Sequence, residues 1–67
     1  MKDFSLPDFL KEEMKKRNIS VFKLSQRTGI TAPALHNYVA GRRSPQLSIV
    51  EEILDALGKK LVVVDKE

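Results

Sequence analysis

The sequence predicts an all-α fold: a compact bundle of four short helices, with one short β-strand at its C-terminal end. Three observations predict it. Apolar residues recur at helical spacing in four successive segments. Residues that start or stop helices bracket those segments. The last apolar run, Leu61, Val62, Val63 and Val64, abandons that period for a β-branched string.

The first helix is capped by Ser5 and runs to Arg17. Pro7 and Asp8 sit in its first turn, where a missing N–H and a negative charge are both welcome. Leu6, Leu10 and Met14 recur every four residues, with Phe9 beside them, and form its buried stripe. Lys15, Lys16 and Arg17 suit the negative end of the helix dipole and read as a solvated end, and Asn18 is a left-handed stop. Ser20 caps a second helix over residues 21–28, with Val21, Leu24 and Phe22 as its inward candidates. Gly29 ends it with the positive φ that a tight turn needs, and Ile30 plugs the turn into the core. Thr31 caps a third helix over residues 32–40, in which Leu35, Tyr38 and Val39 face inward; Pro33 lies in its first turn and Gly41 stops it. After the loop of Arg42, Arg43 and Ser44, Pro45 precedes a fourth helix over about residues 47–57. Leu47, Val50, Ile53, Leu54 and Leu57 make its apolar face; Glu51, Glu52 and Asp55 face water, and Gly58 ends it.

Sixty-seven residues make a single domain, residues 1–67, with a modest core. No cysteine is present, so disulfides and thiolate metal sites are excluded and oligomerisation is the expected support. The chain is 42% hydrophobic and 31% charged, the balance of a soluble globular domain. No apolar run reaches membrane-span length, and the N-terminus lacks the apolar region of a secretory signal. A cytoplasmic location, associated with the nucleoid, is the expectation. The net charge of +3 is unevenly placed. Residues 1–45 carry nine Lys or Arg against four Asp or Glu, whereas residues 46–67 carry three against five.

The basic half contains residues 20–45: two short helices around a glycine turn, then a basic loop and a proline stop. That is the sequence form of a helix-turn-helix, and it points to double-stranded DNA. Leu24 and the small Ser25 are followed by Gly29, Ile30 and Thr31, and the third helix ends in Gly41-Arg42-Arg43-x-Pro45. On these residues, and on the Leu57-Gly58 end of the fourth helix, the span 10–58 resembles the lambda-repressor-like, Cro-type helix-turn-helix domains of the XRE family. The resemblance implies a transcriptional regulator, expected to be a homodimeric repressor that lays the third helix in the major groove of a palindromic operator.

Three departures from the family pattern shape the site. Val21 and Ala32 stand where many phage repressors carry glutamines, one gripping phosphate and the other reading a base. Met14 and Val39 stand where many relatives pair an arginine with a glutamate; an ion pair replaced as a unit by apolar packing strands no charge. The front of the third helix, Ala32, Pro33 and Ala34, offers methyl contact to thymine but no side-chain hydrogen bond. Candidate base contacts are therefore Ala32, Pro33, Ala34, His36, Asn37 and Arg43, with Asn37 suited to adenine or to phosphate and Arg43 to guanine. Candidate phosphate contacts are Ser20, Thr31, Tyr38, Arg42, Arg43 and Ser44. His36 reads equally as a surface residue, and as a lone histidine it makes no metal site. Tyr38 reads first as core, and Arg42 and Arg43 have the plainer reading of a solvated turn.

The tail has two readings: a frayed end folded on the fourth helix, or a strand over residues 60–65 pairing with its copy in a second subunit. The second is favoured, because an exposed Leu61, Val62, Val63 and Val64 edge invites association. The flanking charges Lys59, Lys60, Asp65, Lys66 and Glu67 limit further sheet growth. Cro-type proteins and some antitoxins of the family dimerise in this way, so the resemblance makes it available here. The alternative function is the antitoxin of a toxin–antitoxin pair, binding a toxin protein and repressing its own operon. Catalysis is not expected: one histidine, no cysteine and no phosphate-cradling glycine loop give no nucleophile–base constellation, and no cofactor is implied.

Overall fold

A computed structural model describes residues 4–66; residues 1–3 and 67, the Glu67 flank of the tail included, lie outside the described span. Its elements are α1 (Leu6–Arg17), α2 (Val21–Thr28), α3 (Ala32–Ala40) and α4 (Leu47–Ala56). The first three begin as the sequence dictates. Ser5, Ser20 and Thr31 adopt extended backbone, and their hydroxyl oxygens accept from the N–H groups of Asp8, Lys23 and Ala34 at 3.4, 3.1 and 3.4 Å. α1 stops at Asn18 in the left-handed region, where the Ile19 N–H reaches back to the Met14 carbonyl at 2.9 Å. α3 stops at Gly41, φ 78°. A Cβ there would stand 3.4 Å from Cγ of Pro7, so the stop also brings the start of α1 against the end of α3.

The helices bury their stripes on one another. α3 packs on α1 and α2, and α2 packs in turn on α4. Leu10, Leu24, Leu35, Tyr38, Ile53 and Leu57 form the buried cluster, one or two residues from each helix or its end. Leu6, Phe9, Met14, Ile19, Val21, Ile30, Ala34, Val39, Ile49 and Ala56 close around it. Met14 and Val39 both pack against the core, so the apolar replacement of the family's ion pair is accommodated. Phe4 leans on Phe9, ring centroids 5.8 Å apart.

Four expectations need correction. Phe22 is 75% exposed. Two residues span roughly 200° of helix, so a fully buried Leu24 turns Phe22 outward. Leu47 is 65% exposed, because the buried line of α4 runs at four-residue intervals through Ile49, Ile53 and Leu57 and Leu47 stands off it. The end of α1 is not simply solvated. Arg17 donates from Nε to Oε1 of Glu13 at 3.1 Å, and Lys16 lies 3.6 Å from Oε2. Glu13 itself is buried, the one charged residue that is so among those described. The Arg17 hydrogen bond, opposed by burial and aided by the charges of Lys16 and Lys59, holds its carboxyl below the ordinary glutamate range. Finally, residues 59–66 form no strand within this chain. A strand needs a partner for its N–H and C=O groups, and four helices offer no sheet edge.

Two outcomes follow from this packing. Leu24→Ala or Leu35→Ala is expected to cost about 2–5 kcal/mol in urea unfolding, and Phe22→Ser less than about 0.5 kcal/mol. An equal loss at Phe22 and Leu24 would contradict their assigned faces. A lowered folded pKa at Glu13 adds stability above the unfolded value of about 4.3, and that stability is lost as pH falls through the folded value. Glu13→Gln should therefore be less stable than the parent at pH 7, with the difference shrinking in acid. A stability gap that stays constant from pH 7 to the acid limb would show that the charge at Glu13 contributes nothing.

Candidate nucleic-acid interface

The turn between α2 and α3 is tied by side chains at both ends. The Thr28 hydroxyl donates to the Leu24 carbonyl at 2.9 Å, and its oxygen accepts from the Ile30 N–H at 3.1 Å. Ser25, small enough for the crossing of the two helices, donates its hydroxyl to the Ile30 carbonyl. Gly29, φ 78°, makes the reversal without strain. Ile30 is thereby held by both its backbone groups while its side chain packs on the core. The angle between the helices is fixed by hydrogen bonds as well as by burial.

α3 has two faces. Leu35 and Tyr38 are buried, and Ala34 and Val39 are half-buried against the core. Pro33 and His36 are exposed, with Ala32 and Asn37 half-exposed. At roughly 100° per residue, positions 32, 33, 36 and 37 share one side of the helix. The structure thus brings together Ala32, Pro33, His36 and Asn37 and turns Ala34, the remaining candidate of that group, toward the core. Ser20 and Thr31 are exposed at the starts of α2 and α3. Their oxygens accept the cap bonds, which leaves both O–H groups able to donate outward.

The basic loop wraps the end of α3. The Asn37 carbonyl accepts from the N–H groups of Arg42 at 2.9 Å and Arg43 at 3.4 Å, and Nε of Arg42 donates to Oδ1 of Asn37 at 3.0 Å. Arg43 and Ser44 are exposed, and no side-chain hydrogen bond or ion pair of theirs occurs among the described residues. Beyond them lies a cavity of about 440 Å³ lined by Tyr38, Arg43, Ser44, Pro45, Gln46 and Ile49. Tyr38 is only 9% exposed, and its hydroxyl makes no hydrogen bond among the described residues, nor is it buried without a partner. Gln46 stands in the cap position of α4 and makes no side-chain cap bond. The Leu47 and Ser48 amides, which have no intrahelical acceptor, are left open at the positive end of the helix. This uncapped start was missed in the sequence; the only signal for it was a Pro45 followed by no Ser, Thr, Asp or Asn at the cap.

The charge pattern is sharper than the halves of the chain suggest. Between Glu13 and Glu51 there is no Asp or Glu at all, while seven Lys and Arg fall in that interval. Donors gather on α3 and on the segments that flank it in the chain: the Asn37 amide, two arginines, the hydroxyls of Ser20, Thr31, Tyr38 and Ser44, and the start of α4. Such a surface suits a polyanion, with acceptors at the spacing of a backbone and a groove between. No group of three or more His, Cys, Asp or Glu gathers among the described residues, and none of their helices is long and apolar enough to cross a membrane.

A helix-turn-helix family model matches residues 10–64. The match opens at Leu10 in α1, covers α2, the turn, α3 and α4, and continues past Gly58 as far as Val64. No curated protein matches the chain.

Proposed function

The chain belongs to the XRE family of helix-turn-helix proteins, lambda-repressor- and Cro-like DNA-binding regulators, and from that premise we propose that it is a homodimeric repressor of a palindromic operator. The family is a DNA-binding regulatory one, not an enzymatic one. The observation that carries the reading is the outward side of α3, where Pro33 and His36 are exposed and Ala32 and Asn37 half-exposed, followed directly by the exposed Arg42, Arg43 and Ser44. Ala32, Pro33, His36 and Asn37 enter the major groove. Ser20 and Thr31 meet phosphates on one side of it, and Arg42, Arg43, Ser44 and the Tyr38 hydroxyl meet them on the other. The open amides of Leu47 and Ser48 reinforce the second group. Working on DNA, the protein acts in the cytoplasm at the nucleoid.

The second subunit pairs through the tail. Leu61, Val62, Val63 and Val64 are exposed, Val63 entirely, and the family match extends through them. Antiparallel self-pairing centred between Val62 and Val63 sets Leu61 across from the partner's Val64 and Lys60 across from the partner's Asp65. Opposite charges therefore meet on both sides of the twofold axis. Two reading heads then address half-sites about 34 Å apart or a multiple of that.

Three experiments test these assignments. Tyr38→Phe should keep the parent's thermal stability and weaken DNA binding roughly 2- to 12-fold at every sequence, the worth of one hydrogen bond. Arg43→Ala should reduce the slope of log affinity against log salt by about 1 if that arginine holds phosphate. Unchanged affinity in the first and an unchanged slope in the second would remove the phosphate clamp. Deleting residues 60–67 should give monomers by sedimentation, as should Lys60→Asp alone, whereas Lys60→Asp with Asp65→Lys should restore the dimer. Dimers surviving the deletion would move the interface elsewhere. A stable complex with a second protein in place of a homodimer would favour the antitoxin alternative.

A further inference from the structure

We propose that Asn37 and Arg42 act as one donor unit that selects guanine, with Arg42 positioning Asn37 and denying it adenine. The proposal rests on the reading of α3 as the groove-entering helix and adds to it the base class read. A free asparagine amide recognises adenine by accepting from N6 and donating to N7. The Asn37 amide is not free. Its Oδ1 accepts from Nε of Arg42 at 3.0 Å. The arrangement is built into the chain reversal: the Asn37 backbone carbonyl takes the Arg42 N–H at 2.9 Å, and Gly41 at φ 78° folds the loop back to allow it. Backbone and side chain of Arg42 are thus both anchored on Asn37. No ion pair of Arg42 occurs among the described residues, so no carboxylate within 4 Å competes there for the guanidinium.

The consequence is a change of sign at the α3 tip. One lone pair of Oδ1 is occupied, and the other lies beside a cation. An adenine amine approaching it meets the remaining N–H groups of Arg42, donor against donor. What the unit presents outward is donors only: the Asn37 amide N–H and the free guanidinium N–H groups. In the major groove guanine offers two acceptors, O6 and N7, whereas adenine offers one acceptor and one donor. A donor-only unit therefore matches guanine. The missing glutamines at Val21 and Ala32 leave this pair as the fixed polar feature of the helix.

The test is selection of binding sites from a random duplex library by the full chain, by Asn37→Ala and by Arg42→Ala, followed by affinities for the selected site with guanine or adenine at one position. Asn37→Ala identifies that position as the one whose preference vanishes. The parent should prefer guanine there by about 5- to 150-fold, the range of a good bidentate contact. Arg42→Ala should weaken binding overall and also abolish or reverse that preference, leaving the other positions of the site unchanged. If Arg42 serves only as a phosphate contact, the loss falls equally on both bases and the ratio is unchanged; that result overturns the proposal. Adenine selected by the parent overturns it as well. A parent that enriches no sequence overturns the DNA-reading role itself, a failure distinct from the other two.

Discussion

Burial of Leu35 and Tyr38 sets how the molecule presents its third helix. Three residues apart on a nine-residue helix, they fix the rotation of α3 about its own axis. Everything that α3 shows to solvent follows from that rotation. Ala32, Pro33, His36 and Asn37 face out because Leu35 and Tyr38 face in. The two buried residues differ in kind. Leu35 only packs, while Tyr38 packs in the core and also lines the cavity before α4. One side chain thus ties the core to the surface that meets the ligand.

A second constraint holds the partners of α3 in place. Ser25 and Thr28 secure both backbone groups of Ile30, so the turn cannot loosen without stranding hydrogen bonds. The charges are arranged around that scaffold. The buried carboxylate of Glu13 gathers Arg17 and Lys16, and the exposed acids of α4 lie beyond position 50. Every charged residue between Glu13 and Glu51 in the chain is basic.

Much of this was legible in the residues. Helix starts were, because Ser5, Ser20 and Thr31 are side-chain caps whose effect is local. Helix ends were, because Asn18, Gly29 and Gly41 take a left-handed backbone that few residues tolerate. The inward face of α3 was legible too, since two large residues at three-residue spacing leave little choice. The rest depended on tertiary packing. Phe22 and Leu47 are apolar, and composition alone does not say that a neighbouring residue already fills the core. Glu13 gave no sign of burial, because its partners Arg17 and Lys16 read equally as a basic helix end. The Asn37–Arg42 pair spans five residues across a glycine reversal, outside the spacing at which helical side chains meet. The tail is a different case: LVVV has strand propensity, but a strand is a property of a pair, and one chain supplies half of it.

On the proposed function, the outward face of α3, with the loop and the start of α4, is the surface that meets DNA. An amide NMR titration of the full chain with its selected duplex tests it most directly. The largest perturbations are expected at residues 31–37 and 42–48, with Lys11, Glu12, Glu51, Glu52 and Asp55 unmoved. Perturbations centred on α1 or on the acidic face of α4, with α3 unchanged, would contradict it.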